Sequence, residues 1–150
     1  MKKESFVLAV SLAFLIGSGG VYAHDDGHLD TIKAPNGGQL RMAGIYHYEL
    51  VVVKDSKEVK DNVIVVYVTD HGGRKIPSAG ASGIVTILAG KVKATASLVP
   101  DGDNRMKGIA RYASTPGTKW IISITLPGQP AEQVRFVPLT VEDTHTDHKH

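Results

Sequence analysis

A chain of 150 residues, 42% hydrophobic and 21% charged, has the length and texture of one globular domain with room for tails. Its 17 basic and 15 acidic residues form no basic stripe and no Lys/Arg block, which argues against nucleic acid or an anionic membrane surface as partner. With no cysteine, thiolate metal sites, disulfides and cysteine nucleophiles are excluded, and the fold must rest on its core alone.

The chain opens on a signal-peptide pattern. Lys2 and Lys3 form a positive n-region, and "FVLAVSLAFLIG" is an apolar run of about a dozen residues, short of the roughly 20 that span a bilayer. Val21 and Ala23 supply the small residues wanted before a cleavage site. Residues 1–23 are therefore expected to be removed after Ala23, giving a periplasmic protein that starts at His24 and has no membrane attachment afterwards. No cysteine follows the apolar run, so a lipid anchor is not expected. Loss of Lys2, Lys3 and Glu4 leaves 15 basic and 14 acidic residues, a net charge of +1.

Residues 24–36, "HDDGHLDTIKAPN", are polar and aperiodic, and are expected as a flexible segment. From residue 45 the texture changes to β-branched runs between Gly, Pro, Asn and Asp clusters. Strands are predicted over 45–53, 62–69, 83–89, 92–99, 105–113, 120–126 and 132–139, separated by turn signals such as "DHGG", "PDGDN" and "PGQP". "LAGKV" is short enough for a tight hairpin centred on Gly90 and Lys91. No stretch after the signal shows a helical repeat. The fold class expected is all-β: a single immunoglobulin-like sandwich or small barrel of about seven strands over residues 37–140. Residues 141–150, "VEDTHTDHKH", are expected as a flexible His-rich tail.

Side chains alternate along a strand, so faces can be assigned. In 45–53, Tyr46, Tyr48, Leu50 and Val52 share a face that reads as core, while His47 and Glu49 share the opposite one. In 62–69 both faces are apolar, which predicts a central strand. It runs into "DHGGRK", placing Asp70 and His71 at a strand end beside a glycine turn. If the first two predicted strands pair as an antiparallel hairpin, the start of one meets the end of the other, and His71 approaches His47.

The chemistry is carried by histidine. Phosphate-binding glycine loops, the G-x-S-x-G elbow and the H-E-x-x-H zinc helix are all missing, so no enzyme is expected. Five of the seven histidines, His24, His28, His145, His148 and His150, lie near the ends of the processed chain. The C-terminal H-x-x-H-x-H, interleaved with Asp143 and Asp147, suits weak binding of an ion such as Cu(II) or Zn(II), because imidazole favours both and ordering the tail costs entropy. Only Met42 and Met106 remain after the signal, so no Met-rich cuprous site is written. Cleavage after Ala23 would give His24 a free α-amine beside its ring, the clamp known as a histidine brace. Its further ligands could be His28, Asp25, Asp26, His47 or His71. Inside the fold, His47, Glu49 and His71 form the one candidate ligand set.

"APNGGQLRMAGIYHYELVV" followed by "VYVTDHGGRKIPSAGASG" resembles a small exported β-domain. That domain occurs as a stand-alone periplasmic protein and as an accessory domain of periplasmic adaptors in heavy-metal efflux pumps. Its pattern is H-G-G, then a G-x-Y-H-x-E-L strand, then a D-H-x-G-K/R turn. Gly37, Gly38, Gly44, Tyr46, His47, Glu49, Leu50, Asp70, His71, Gly73 and Lys75 fit it over roughly residues 34–90, but Asn36 stands where the pattern has His. The resemblance implies a metal-stress setting.

Two readings follow. The first is a periplasmic metal-handling protein for Cu(II) or Zn(II), acting beside a heavy-metal efflux adaptor, with metal ligands among His24, His28, His47, Glu49, His71, His145, His148 and His150. The second is an immunoglobulin-like interaction module with no metal role, whose edge strands dock a partner. An exported enzyme with a braced copper ion is a third.

Overall fold

A computed structural model describes residues 26–139. The expected signal peptide, His24 and the His-rich segment with His145, His148 and His150 lie outside the described residues. The fold is all-β, with one short helix. Helix α1 (Asp26–Asp30) precedes β1 (Gln39–Ala43), β2 (Tyr46–Val52), β3 (Lys60–Asp70) and β4 (Ser82–Ala89). Then come β5 (Val92–Pro100), β6 (Arg105–Tyr112), β7 (Lys119–Thr125) and β8 (Glu132–Phe136).

The seven predicted strands are β2–β8, and β1 is an eighth. Their order in the sheet is β1-β2-β3-β6-β5-β4-β7-β8, antiparallel throughout. Strand β5 is the corner: most of its length pairs with β4, and only Val99 and Pro100 pair with β6. The two edges come together. Strands β1 and β8 touch, Val137 N donates to Gln39 Oε1 at 2.8 Å, and the Tyr48 hydroxyl donates to Glu132 Oε1 at 3.1 Å. The result is a nearly closed small barrel, which leaves little free edge for another chain to pair with.

The hairpins follow from local chemistry. Ala89 pairs with Val92, so Gly90 and Lys91 form a two-residue loop, and Gly90 takes φ +61°. A glycine in that first position is what a type II′ hairpin turn requires. Ala43 pairs with Tyr46 in the same way, with Gly44 at φ +56°.

The core is the inner face of this barrel. Tyr48, Leu50 and Val52 of β2 join Ile64, Val66 and Val68 of β3, Val85 and Ile87 of β4, and Trp120, Ile122 and Ile124 of β7. The predicted inner face of β2 is therefore the observed one, with Tyr46 partly buried against it. Each such aliphatic side chain contributes about 1.5–3 kcal/mol through burial. Strand β3 is central, between β2 and β6, and Val65 on its outer face is buried as well.

A second, smaller cluster sits on the outer face of β1. Leu29 of α1, Ala34 and Leu40 are buried together, with Met42 packed beside them. Arg41 holds α1 to the sheet edge: Nη1 lies 2.7 Å from Asp30 Oδ1 and Nε 3.8 Å from Asp26 Oδ1. The segment expected to be flexible thus includes, in residues 26–36, a helical turn and a loop packed on β1.

Candidate functional site

The β2–β3 hairpin has the register that the sequence suggested. Tyr46 pairs with Asp70 and His47 with Thr69, so the start of β2 meets the end of β3. Beyond β3 the chain turns at once. Asp70 Oδ1 accepts hydrogen bonds from Gly72 N and Arg74 N, each 2.9 Å, and Asp70 N donates to Arg74 O at 2.9 Å. Gly73 supplies the positive φ, +79°. The Arg74 backbone N–H, with that of Gly72 behind it, holds the Asp70 carboxyl below the usual carboxylate range. A carboxylate bonded to two backbone donors fixes the turn, and with it His71.

His71 is held against His47. The ring centroids are 4.8 Å apart and the planes are inclined by 31°. His47 is half-buried and His71 exposed, so the pair opens to solvent on one side. Two imidazoles that share an ion at about 2.0–2.1 Å from each nitrogen, at close to a right angle, put their ring centres about 5 Å apart. The observed spacing is therefore compatible with both rings binding one ion.

Glu49 does something else. It is only 3% exposed, although it lies on the outer face of β2 with His47. Its two oxygens accept from Asn36 N at 3.1 and 2.9 Å, from Asn36 Nδ2 at 3.3 Å and from Gly38 N at 3.4 Å. The carboxylate is the anchor of the 36–38 loop. Asn36, the departure from the H-G-G pattern, is its main partner. Gly38 is obligatory here, because a Cβ at that position would lie 2.3 Å from the Leu50 carbonyl oxygen.

Among the described residues no three His, Cys, Asp or Glu side chains converge to hold an ion. His47 and His71 come together, and Glu49 does not complete a three-ligand set with them. His28 lies on α1, exposed, its carbonyl accepting from Thr31 N at 3.1 Å and Thr31 Oγ1 at 2.7 Å. One neighbour of the pair was not among the candidate ligands: Met42, the cross-strand partner of His47 on β1. Recognising β1 as a strand would have found it, because counting back across the Gly44-Ile45 loop gives the pairs 43–46 and 42–47.

A different surface lies on the far side of the barrel. Ile109 of β6, paired with Val63 of β3, is 61% exposed, Ile84 of β4 58% and Val99 of β5 57%. Ser97, Val99, Lys107 and Ile109 line a shallow cavity of about 320 Å³ there.

No family model matches this chain, and no curated protein does. Among solved structures, it is similar to a conjugative transposon lipoprotein from Bacteroides eggerthii DSM 20697, with a TM-score of 0.37 and 8% identity over 63% of this chain and 96% of that one.

Proposed function

We propose that the protein is a metal-handling protein of the bacterial periplasm that holds a copper or zinc ion on His47 and His71, beside a heavy-metal efflux system. The observation that carries this reading is the packed imidazole pair, 4.8 Å between ring centres, brought together by the β2–β3 register and by a turn whose aspartate accepts two backbone hydrogen bonds. Two protein ligands leave coordination positions open, which suits an ion that is passed on rather than stored. The imidazoles of His24, His28, His145, His148 and His150 are further sources of weak, fast-exchanging ligands. The ground for the partner is the resemblance of the β2 motif and the Asp70–Lys75 turn to the efflux-adaptor domain.

The test is a titration of the processed chain with Cu(II) and Zn(II), followed by calorimetry, against His47→Ala and His71→Ala. Each variant should lose one bound ion while retaining its melting temperature. The ion should also be released as pH falls from 7.5 to about 5, since only the neutral imidazole is a ligand and protons compete with the ion for it. Unchanged stoichiometry in both variants would sink the reading.

One observation favours the second reading, an interaction module without metal. Exposed Val63, Ile84, Val99 and Ile109 lie on the outer face of β3–β6, where apolar side chains gain only by contact with another molecule. Retention of a periplasmic partner by the wild-type protein and by His47→Ala alike, but not by Ile109→Lys, would favour it.

A further inference from the structure

The nearest hard ligands are committed elsewhere. Glu49, two residues from His47, is buried under the 36–38 loop with both oxygens accepting hydrogen bonds. Asp70, next to His71, spends Oδ1 on Gly72 N and Arg74 N, and its Oδ2 faces the Arg74 guanidinium, 3.8 Å from Nε. What the fold sets opposite His47 is a methionine. Met42 is the direct cross-strand partner of His47, and paired residues of an antiparallel sheet share a face with Cβ atoms about 4.5–5.5 Å apart. The unbranched thioether can span that gap by rotation alone. Met42 also packs at the border of the Leu29, Ala34 and Leu40 cluster, so its surroundings are apolar.

We infer that Met42 is the third ligand beside His47 and His71, and that the site takes a soft monovalent ion, Cu(I) or Ag(I). The inference rests on the metal-handling reading above and changes the ion. Two neutral imidazoles and a neutral thioether carry no negative charge. Partial burial of a divalent ion in such a set leaves more charge uncompensated than burial of a monovalent one. Thioether sulfur selects Cu(I) over Cu(II) and Zn(II), whereas carboxylate would have pulled the other way.

The sequence makes the test clean. After the signal the chain holds no cysteine and only two methionines, and Met106 is fully buried in the core. Any sulfur bound to copper in the processed protein therefore reports Met42. The processed chain is loaded anaerobically with one equivalent of Cu(I) and measured by X-ray absorption, then titrated against bicinchoninate as a competing chelator. A sulfur scatterer at about 2.3 Å is expected in the wild type and absent in Met42→Leu, whose Cu(I) affinity falls at least tenfold at unchanged melting temperature. Zn(II) binding should be the same in both. A wild-type spectrum with nitrogen ligands alone overturns the assignment of Met42, whatever the variant does. In that case loss of the ion in His47→Ala would leave the imidazole site standing. Cu(I) and Zn(II) binding both indifferent to His47→Ala would remove the metal reading itself.

Discussion

Over β1 and β2 the outer face of the barrel is covered by α1 and the loop that follows it, whereas from Val63 of β3 across β4–β6 it is bare. The closed side fixes polar groups: Arg41 is drawn to Asp26 and Asp30, and Glu49 to the backbone of Asn36 and Gly38. The imidazoles of His47 and His71 stand at the end of that same face. The bare side offers Val63, Ile84, Val99 and Ile109, with the ion pairs Arg111–Asp61 and Arg105–Asp101 exposed among them. The proposed coordination site and the exposed apolar surface therefore lie in different regions, and mutations in one should leave the other untouched, because distant sites without shared partners add independently.

The strongest way to break that division is at Glu49. Glu49→Ala strands the backbone donors of Asn36 and Gly38 under the loop, and each buried unsatisfied donor costs about 1–3 kcal/mol. Stability in urea should fall by about 2–4 kcal/mol, while the stoichiometry of tightly bound ion stays the same. Loss of that ion at native fold would instead make Glu49 a ligand.

Tyr48→Phe tests how the edges are joined. Losing the hydroxyl bond to Glu132 should cost about 1 kcal/mol by denaturant melting. Burial first, then the Glu132 carboxylate, raises the Tyr48 phenol far above its ordinary value of 10, and burial raises that of Tyr112. A raised folded pKa contributes stability that is present below pH 10 and lost as pH climbs above it. The phenolate absorbance of these two tyrosines should therefore appear only with unfolding, and Tyr48→Phe should flatten the alkaline loss of stability.

On the bare side the effect on folding is small. Ile84→Lys and Ile109→Lys should each change stability by less than about 0.5 kcal/mol and leave metal content unaltered. If either face is a docking surface, they abolish partner retention in a pull-down. A change in metal content would show that the two regions are coupled.

Smallest of all is the expected effect of removing residues 142–150. The melting temperature should not move, since a polar terminal segment contributes little packing. Equilibrium dialysis should show fewer weakly bound ions, and an unchanged count would make His145, His148 and His150 inert.

The strands that could be read from sequence were those with β-branched runs between glycine turns. "QLRMA" has no β-branched residue, and its alternation is only two apolar residues long, Leu40 and Met42, so β1 exists through its pairing with β2 rather than by propensity. α1, "DGHLD", is too short to show a period. The approach of His47 to His71 was legible because hairpin register is simple counting. The engagement of Glu49 was not, because its partners are backbone groups of a loop thirteen residues away, and nothing in Asn36 or Gly38 announces which carboxylate their N–H groups will find. Met42 stayed hidden with its strand.

The most direct measurement is the metal content of the processed chain lacking residues 142–150, taken by native mass spectrometry after desalting, beside His47→Ala and His71→Ala in the same background. One ion retained by the parent and none by either variant is the result predicted for a site built on the packed imidazole pair. Equal metal content in all three proteins, or none in any, would contradict it.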